Sequence, residues 1–204
     1  MLNLSRRILL VAAVTALGLA GCSPAGAKSD ASDMSLGDPK APVSITEYAS
    51  VSCVHCAAFN NEVFPEFKKK YIDTGKVHYT FKEFLTPPVE VAAAGFLTAR
   101  CAGKDKYFSV VDAIFHAQQE MFTTGDMRGV LLRVAQSAGM TEKQFNSCIT
   151  DEAALKALNG RVDKAIKDEK INATPTFLIN GKKFKEGEAT LAEFDKAIAD
   201  ASAK

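Results

Sequence analysis

Two thiols stand two residues apart in Cys53-Val54-His55-Cys56. An extended apolar run, Val43-Ser44-Ile45-Thr46-Glu47-Tyr48-Ala49, precedes them, and a helical pattern with Ala57, Phe59, Val63, Phe64 and Phe67 follows. Reversible disulfide chemistry needs this placement. A sulfur at a helix N-terminus meets unpaired backbone N–H groups and the positive end of the helix dipole, and both favour the thiolate. The second sulfur lies one turn further in and closes the ring.

Other chemistries use the same spacing. Zinc wants four ligands and usually a second close cysteine pair, which Cys22, Cys101 and Cys148 do not supply. A c-type haem attachment needs His directly after the second cysteine, where Ala57 stands. A copper site made of both thiols and His55 stays open, and so does a purely structural disulfide. Redox exchange fits the junction best.

Positioning those sulfurs is the task of the remaining elements. Val43–Ala49 predicts a core strand, 54–71 a long helix adjusted at Pro65, and 77–81 a second strand ended by Thr86-Pro87-Pro88. Helical patterns fill 89–102, 106–119, 127–138 and 142–148, with joints at Gly103, Gly125 and Gly139 and a cap at Thr141. Residues 152–170 form a further amphipathic helix. Thr176–Ile179 is a strand, Asn180-Gly181 a hairpin turn into Lys182-Lys183-Phe184, and 191–199 a closing helix. The order predicts an α/β sheet into which an α-helical subdomain is inserted.

The ends of the chain carry separate information. Arg6 and Arg7 followed by about a dozen apolar or small residues (8–20) read as an export signal, too short for a transmembrane span of roughly 20. Leu19-Ala20-Gly21-Cys22 resembles the lipobox of bacterial lipoproteins, which implies cleavage before Cys22 and acylation of that residue. Ordinary cleavage after Ala25-Gly26-Ala27 is the alternative. Acyl chains would hold the protein at a membrane surface, and 23–33 reads as a tether. Loss of residues 1–21 removes two Arg and no acid, taking 25 basic and 24 acidic residues to 23 and 24, a net −1. That balance gives no basic footprint for nucleic acid. Export implies an oxidising compartment in which disulfides persist.

Ala173-Thr174-Pro175-Thr176 stands just before the hairpin. Proline cannot donate to a ladder, so one reading is a simple strand-start proline. The other is a cis Thr174–Pro175 peptide that sets backbone groups beside the sulfurs for an extended substrate.

Together, Cys53-Val54-His55-Cys56 after a strand, the helical insertion, and Thr174-Pro175 before a hairpin resemble the DsbA family of thioredoxin-fold oxidoreductases. The likeness runs from about Val43 to the C-terminus. It implies a thioredoxin-like sheet with an inserted α-helical subdomain, Cys53 as nucleophile and Cys56 as buried resolving thiol. It further implies that His55 stabilises the thiolate, that Thr174 and Pro175 bind substrate beside Val54, and that Glu47 assists catalysis beneath the site. Val54 stands where the family often has proline. Lys82, on the neighbouring strand, is a counter-ion candidate for Glu47.

Cys101 and Cys148 both fall in the helical insertion, and a structural disulfide between them is the preferred reading. An auxiliary redox pair is the alternative. His78 and His116 read as structural, and Met121-Phe122 as core or as a border of a substrate groove. The chain thus divides into a signal (1–21), a lipidated Cys22 with tether (22–33), two parts of a thioredoxin-like domain (34–84 and 151–204) and the insertion (85–150).

The function these features predict is introduction of disulfides into extracytoplasmic client proteins by a lipid-anchored, periplasmic or otherwise exported enzyme. It is expected to be monomeric, to need no metal or cofactor, and to be reoxidised by a membrane or soluble partner. A disulfide isomerase or reductase of the same fold, and a non-enzymatic copper chaperone, are the rival readings.

Overall fold

The computed structural model describes residues 33–203. The expected signal, Cys22 and nearly all of the tether lie outside the described residues.

Five strands form one sheet in the order β1-β3-β2-β4-β5. Its centre is β2 (Val43–Ala49), parallel to β3 (Val77–Glu83) and antiparallel to β4 (Thr176–Ile179). The hairpin partner β5 (Lys182–Glu186) is an open edge carrying Lys182, Lys183 and Lys185. On the other edge, β1 (Met34–Leu36) pairs antiparallel with β3, Met34 opposite Phe81. Three residues are too few for an alternating pattern, so the sequence gives no sign of this strand. β3 also runs two residues past the expected Phe81, to Glu83.

The long helix begins as α1 (Val54–Ala58), passes through a π-helical turn (Phe59–Val63), continues as α2 (Phe64–Phe67) and ends in a second π-helical turn (Lys68–Ile72). The adjustment expected at Pro65 takes this form: Phe64 N–H reaches back five residues to Phe59 O, beside a proline that has no N–H to offer.

Helices α3 (Val89–Cys101), α4 (Tyr107–Thr124), α5 (Met127–Ser137) and α6 (Glu142–Ile149) follow β3. α4 outruns the expected end at Gln119 by five residues and stops at Gly125, whose φ of 74° is glycine's natural territory. Thr141 caps α6 in a reciprocal box with Gln144. Cys101 at the end of α3 is bonded to Cys148 in α6, 47 residues away. α7 (Glu152–Lys167) stops before Lys170, which adopts φ 56°, and α8 (Leu191–Ser202) closes the chain.

Buried Glu83 ties these layers together. Its Oε1 accepts from Arg100 of α3 (2.6 Å) and Tyr107 of α4 (3.0 Å), and its Oε2 from Arg161 of α7 (2.8 Å). A buried charge is tolerated when so fully paired. Between the sheet, α1–α2 and α8, the rings of Phe59, Phe67, Phe177 and Phe194 pack edge-on or tilted, Phe59 to Phe177 at 4.7 Å and Phe67 to Phe194 at 4.9 Å. This cluster fixes the helix that carries the two thiols.

Candidate active site

β2 ends at Ala49, and the chain turns through Ser50, Val51 and Ser52 to reach Cys53. Small hydroxyls hold that turn: Ser52 Oγ donates to Thr86 O at 2.8 Å, and Thr86 N–H donates to Ser50 Oγ at 3.2 Å. From the insertion, the buried amide of Gln118 donates to Val51 O (2.9 Å) and Cys53 O (3.2 Å). Gln118 has no sequence signature, since a single amide on an apolar helix carries no motif.

Cys53 is the N-cap of α1, and the backbone N–H of Cys56 donates to its sulfur at 3.3 Å. The Cys53 thiol is pulled down to about 6. The hydrogen bond from the Cys56 thiol lowers it most. Burial opposes this, while Thr174 and the backbone N–H groups of Cys56 and His55 lower it further. Cys56 is fully enclosed, and burial, the Cys53 thiolate and Glu47 push its own thiol well above the usual range. The two sulfurs thus divide the labour electrostatically, one poised to leave or attack and one that holds its proton.

The imidazole of His55 is exposed. Its Nδ1 lies 2.6 Å from Glu188 Oε1, and this exposed contact raises the His55 pKa. The His55 backbone N–H is among the groups that lower the Cys53 pKa, and the Cys53 thiolate in turn helps to raise that of the imidazole. Glu188, in the loop before α8, has no sequence signature.

Thr174 and Pro175 sit opposite the sulfurs, joined by a cis peptide bond. The Thr174 carbonyl lies 3.4 Å from Cys53 Sγ. A second cis bond, Pro87–Pro88, shapes the facing loop. An open, largely apolar groove of about 530 Å³ runs between these walls, with Cys53, Val54 and His55 on one side, Thr86 to Pro88 and Phe122 on another, and Thr174 closing it. Val54 projects into solvent there, 58% exposed. Met121 is core and its neighbour Phe122 lines the groove, so the pair divides between the two roles considered for it. A second cavity of about 300 Å³, between the sheet and α7, is lined by Tyr48, Lys82 and Arg161 but contains no sulfur.

Glu47 is buried beneath the cysteines, and burial raises its carboxyl to about 8. Lys82 is not its counter-ion. Register places Glu47 beside Phe81, and strand alternation turns the next residue, Lys82, to the opposite face. There it pairs with Asp33 at 3.1 Å. The partner of Glu47 is Tyr79, whose hydroxyl donates to Oε2. His116 approaches Asp112 at 3.6 Å on the exposed side of α4, and His78 is half-buried on β3.

A thioredoxin-like sheet whose acidic, groove-facing thiol sits against a cis-proline loop defines a thiol–disulfide exchange protein. Comparison with known proteins agrees. The profile of a thioredoxin family matches residues 29–200. A Rickettsia bellii protein named "Putative protein-disulfide oxidoreductase" is 31% identical over 180 residues, covering 87% of this chain and 69% of that protein. For a similarly named Rickettsia conorii protein the identity is 33%, over 76% of this chain but only 55% of the relative, so the chain spans little more than half of it. The crystal structure of Wolbachia pipientis alpha-DsbA1 superposes with a TM-score of 0.78 at 31% identity, covering 86% of this chain and 93% of that one. The chain belongs to the thioredoxin family and, within it, to the DsbA-like protein-disulfide oxidoreductases.

Proposed function

We propose that this chain is an oxidant: it gives the Cys53–Cys56 disulfide to client proteins with free thiols in an extracytoplasmic compartment. The observation that carries the direction is the acidity of Cys53. At pH 7 a thiol with pKa about 6 stabilises the reduced protein by about 1.4 kcal/mol relative to one at 9.0, which raises the reduction potential by about 30 mV. A stabilised reduced state makes the disulfide easy to give away.

In the proposed reaction a client segment lies along Thr174-Pro175, and its thiolate attacks Cys53 Sγ. The Cys53–Cys56 bond breaks, a client–Cys53 disulfide forms, and Cys56 takes up a proton. A second client thiolate then attacks the client sulfur, and Cys53 leaves as a stabilised thiolate. The client departs oxidised by two electrons and the protein is left reduced, to be reoxidised by a membrane or soluble partner. The apolar groove suits unfolded segments presented with a cysteine.

Lipidation at Cys22, attachment to a bacterial membrane and a monomeric state belong to the same proposal. The lipobox-like Leu19-Ala20-Gly21-Cys22 supports the anchor. Among the described residues no helix is long and apolar enough to cross a membrane. Isomerase or reductase activity is the rival within the fold, and copper binding by the reduced thiols the rival outside it.

Redox titration against glutathione, together with the pH dependence of Cys53 alkylation, tests the direction. A Cys53 pKa near 6 and a potential above that of thioredoxin are expected. A pKa above 8 with a thioredoxin-like potential would remove the case for an oxidant.

A further inference from the structure

Glu47 and Tyr79 lie on adjacent parallel strands, and both are almost completely shielded from solvent. The Tyr79 ring is held by Phe64 (centroids 5.0 Å apart), Phe67 (6.3 Å) and Phe108 (6.3 Å), which aim its hydroxyl at Glu47 Oε2. Ring contacts on several sides thus hold the side chain with its hydroxyl on the carboxyl.

Few titratable groups face this pair. Cys53 and Cys56 do so from the start of α1, Tyr107 of α4 faces Tyr79, and β4 contributes only Phe177 opposite Glu47. Lys82, the nearby strand cation, is turned away to Asp33. Among the described residues, the strongest influences on Glu47 are burial, the Tyr79 hydroxyl and Cys53, and none of them is a cation.

We propose that Tyr79 is a positioning residue for the Cys56 half of the exchange, its hydroxyl steadying the Glu47 carboxylate that exchanges a proton with Cys56. The inference rests on the reading of the site as a disulfide-exchange centre. When client attack breaks the Cys53–Cys56 bond, the electron pair stays on Cys56 Sγ and the Glu47 carboxyl supplies its proton. In the reverse step Glu47 takes the proton from Cys56, Cys56 Sγ bonds to Cys53 Sγ, and the client sulfur leaves with the electron pair. A hydrogen bond from Tyr79 favours the ionised carboxyl. Without it Glu47 holds its proton more tightly and serves the reverse step only at higher pH.

The test uses Tyr79→Phe, which keeps the ring and removes only the hydroxyl. Reduced protein is mixed in stopped flow with a fluorescent peptide disulfide at saturation, so that release of peptide reports attack by Cys56. In the parent the release rate should rise with pH through the Glu47 titration. Tyr79→Phe should move that midpoint up by about one unit and slow release about tenfold at pH 7. In a Glu47→Gln background, Tyr79→Phe should leave the profile where it is. Site-specific 3-fluorotyrosine at position 79, a stronger donor that preserves the packing, should move the midpoint down. Carbon-13 NMR titration of the Glu47 carboxyl should show the same two shifts. An unchanged midpoint in both replacements, or a shift of the wrong sign, overturns the proposal. Should the parent release no peptide at all, the exchange reading fails, and the carboxyl titration still decides whether Tyr79 governs Glu47.

Discussion

Cys53 Sγ and the carbonyl oxygen of Thr174 lie 3.4 Å apart across 121 residues of sequence. The thiol donates to that carbonyl, and the Thr174 side chain is among the groups that lower the Cys53 pKa. Thr174→Val keeps the shape and removes the hydroxyl. The Cys53 pKa should rise by about one unit, and the reduction potential should fall with it. Thiolate absorbance against pH reads the first and glutathione equilibrium the second. An unmoved pKa would show that the hydroxyl plays no part.

Glu47 costs the fold stability. Its carboxyl is raised to about 8 by burial, from 4.5 when unfolded. Folding at pH 7 must therefore take up a proton. The contribution to stability is full below about 4.5 and is lost as pH rises through about 8, a cost on the order of 3 kcal/mol at pH 7. Glu47→Gln keeps an acceptor for Tyr79 and removes the titration. Urea midpoints should be higher for the variant at pH 7 and should converge with the parent near pH 4. A variant less stable at pH 7 would contradict the assignment.

The Cys101–Cys148 disulfide closes a 47-residue loop wholly within the helical block. Replacing both cysteines by Ala should lower the unfolding free energy by about 4 kcal/mol in the chain-entropy picture. Neither residue borders the groove, so the Cys53 pKa should stay put. A displaced Cys53 pKa in that variant would instead favour an auxiliary redox role for the pair.

Gln118→Leu removes both amide donations to the turn before α1. The buried Val51 carbonyl would lose its donor, at a cost of about 1–3 kcal/mol, while the Cys53 carbonyl keeps its bond from Ala57 N–H at 3.1 Å. Hydrogen exchange at residues 51–56 should accelerate more than in the rest of the sheet. Uniform acceleration would mean that the amide supports the whole core and not this turn.

Much of this architecture is legible in the residues. The alternating run before Cys53, the Asn180-Gly181 turn and the apolar helical stripes each obey a local period, so strand, hairpin and helices can be read without tertiary knowledge. The short strand at Met34 cannot, because its three residues exist as a strand only by pairing with β3. The sulfurs and the cis-proline loop are similarly visible, being unusual residues at unusual places. Their supporting partners are not. Tyr79 looks like any core aromatic, Glu188 like any surface acid and Gln118 like a stray amide, since each acquires its role from a neighbour 32, 133 or 65 residues away. The misassigned counter-ion shows the same limit: Lys82 is on the right strand but the wrong face, and only register separates the two.

The row of lysines along β5 has a consequence for the company this protein would keep. Unfinished polypeptides carry bare strands in search of a neighbour, and an uncharged border would invite them to stack there. Lys182, together with Lys183 and Lys185 in their pairs with Glu186 and Glu193, lines that border with charge. An extended segment arriving at that rim would have to displace or desolvate these charges before it could pair.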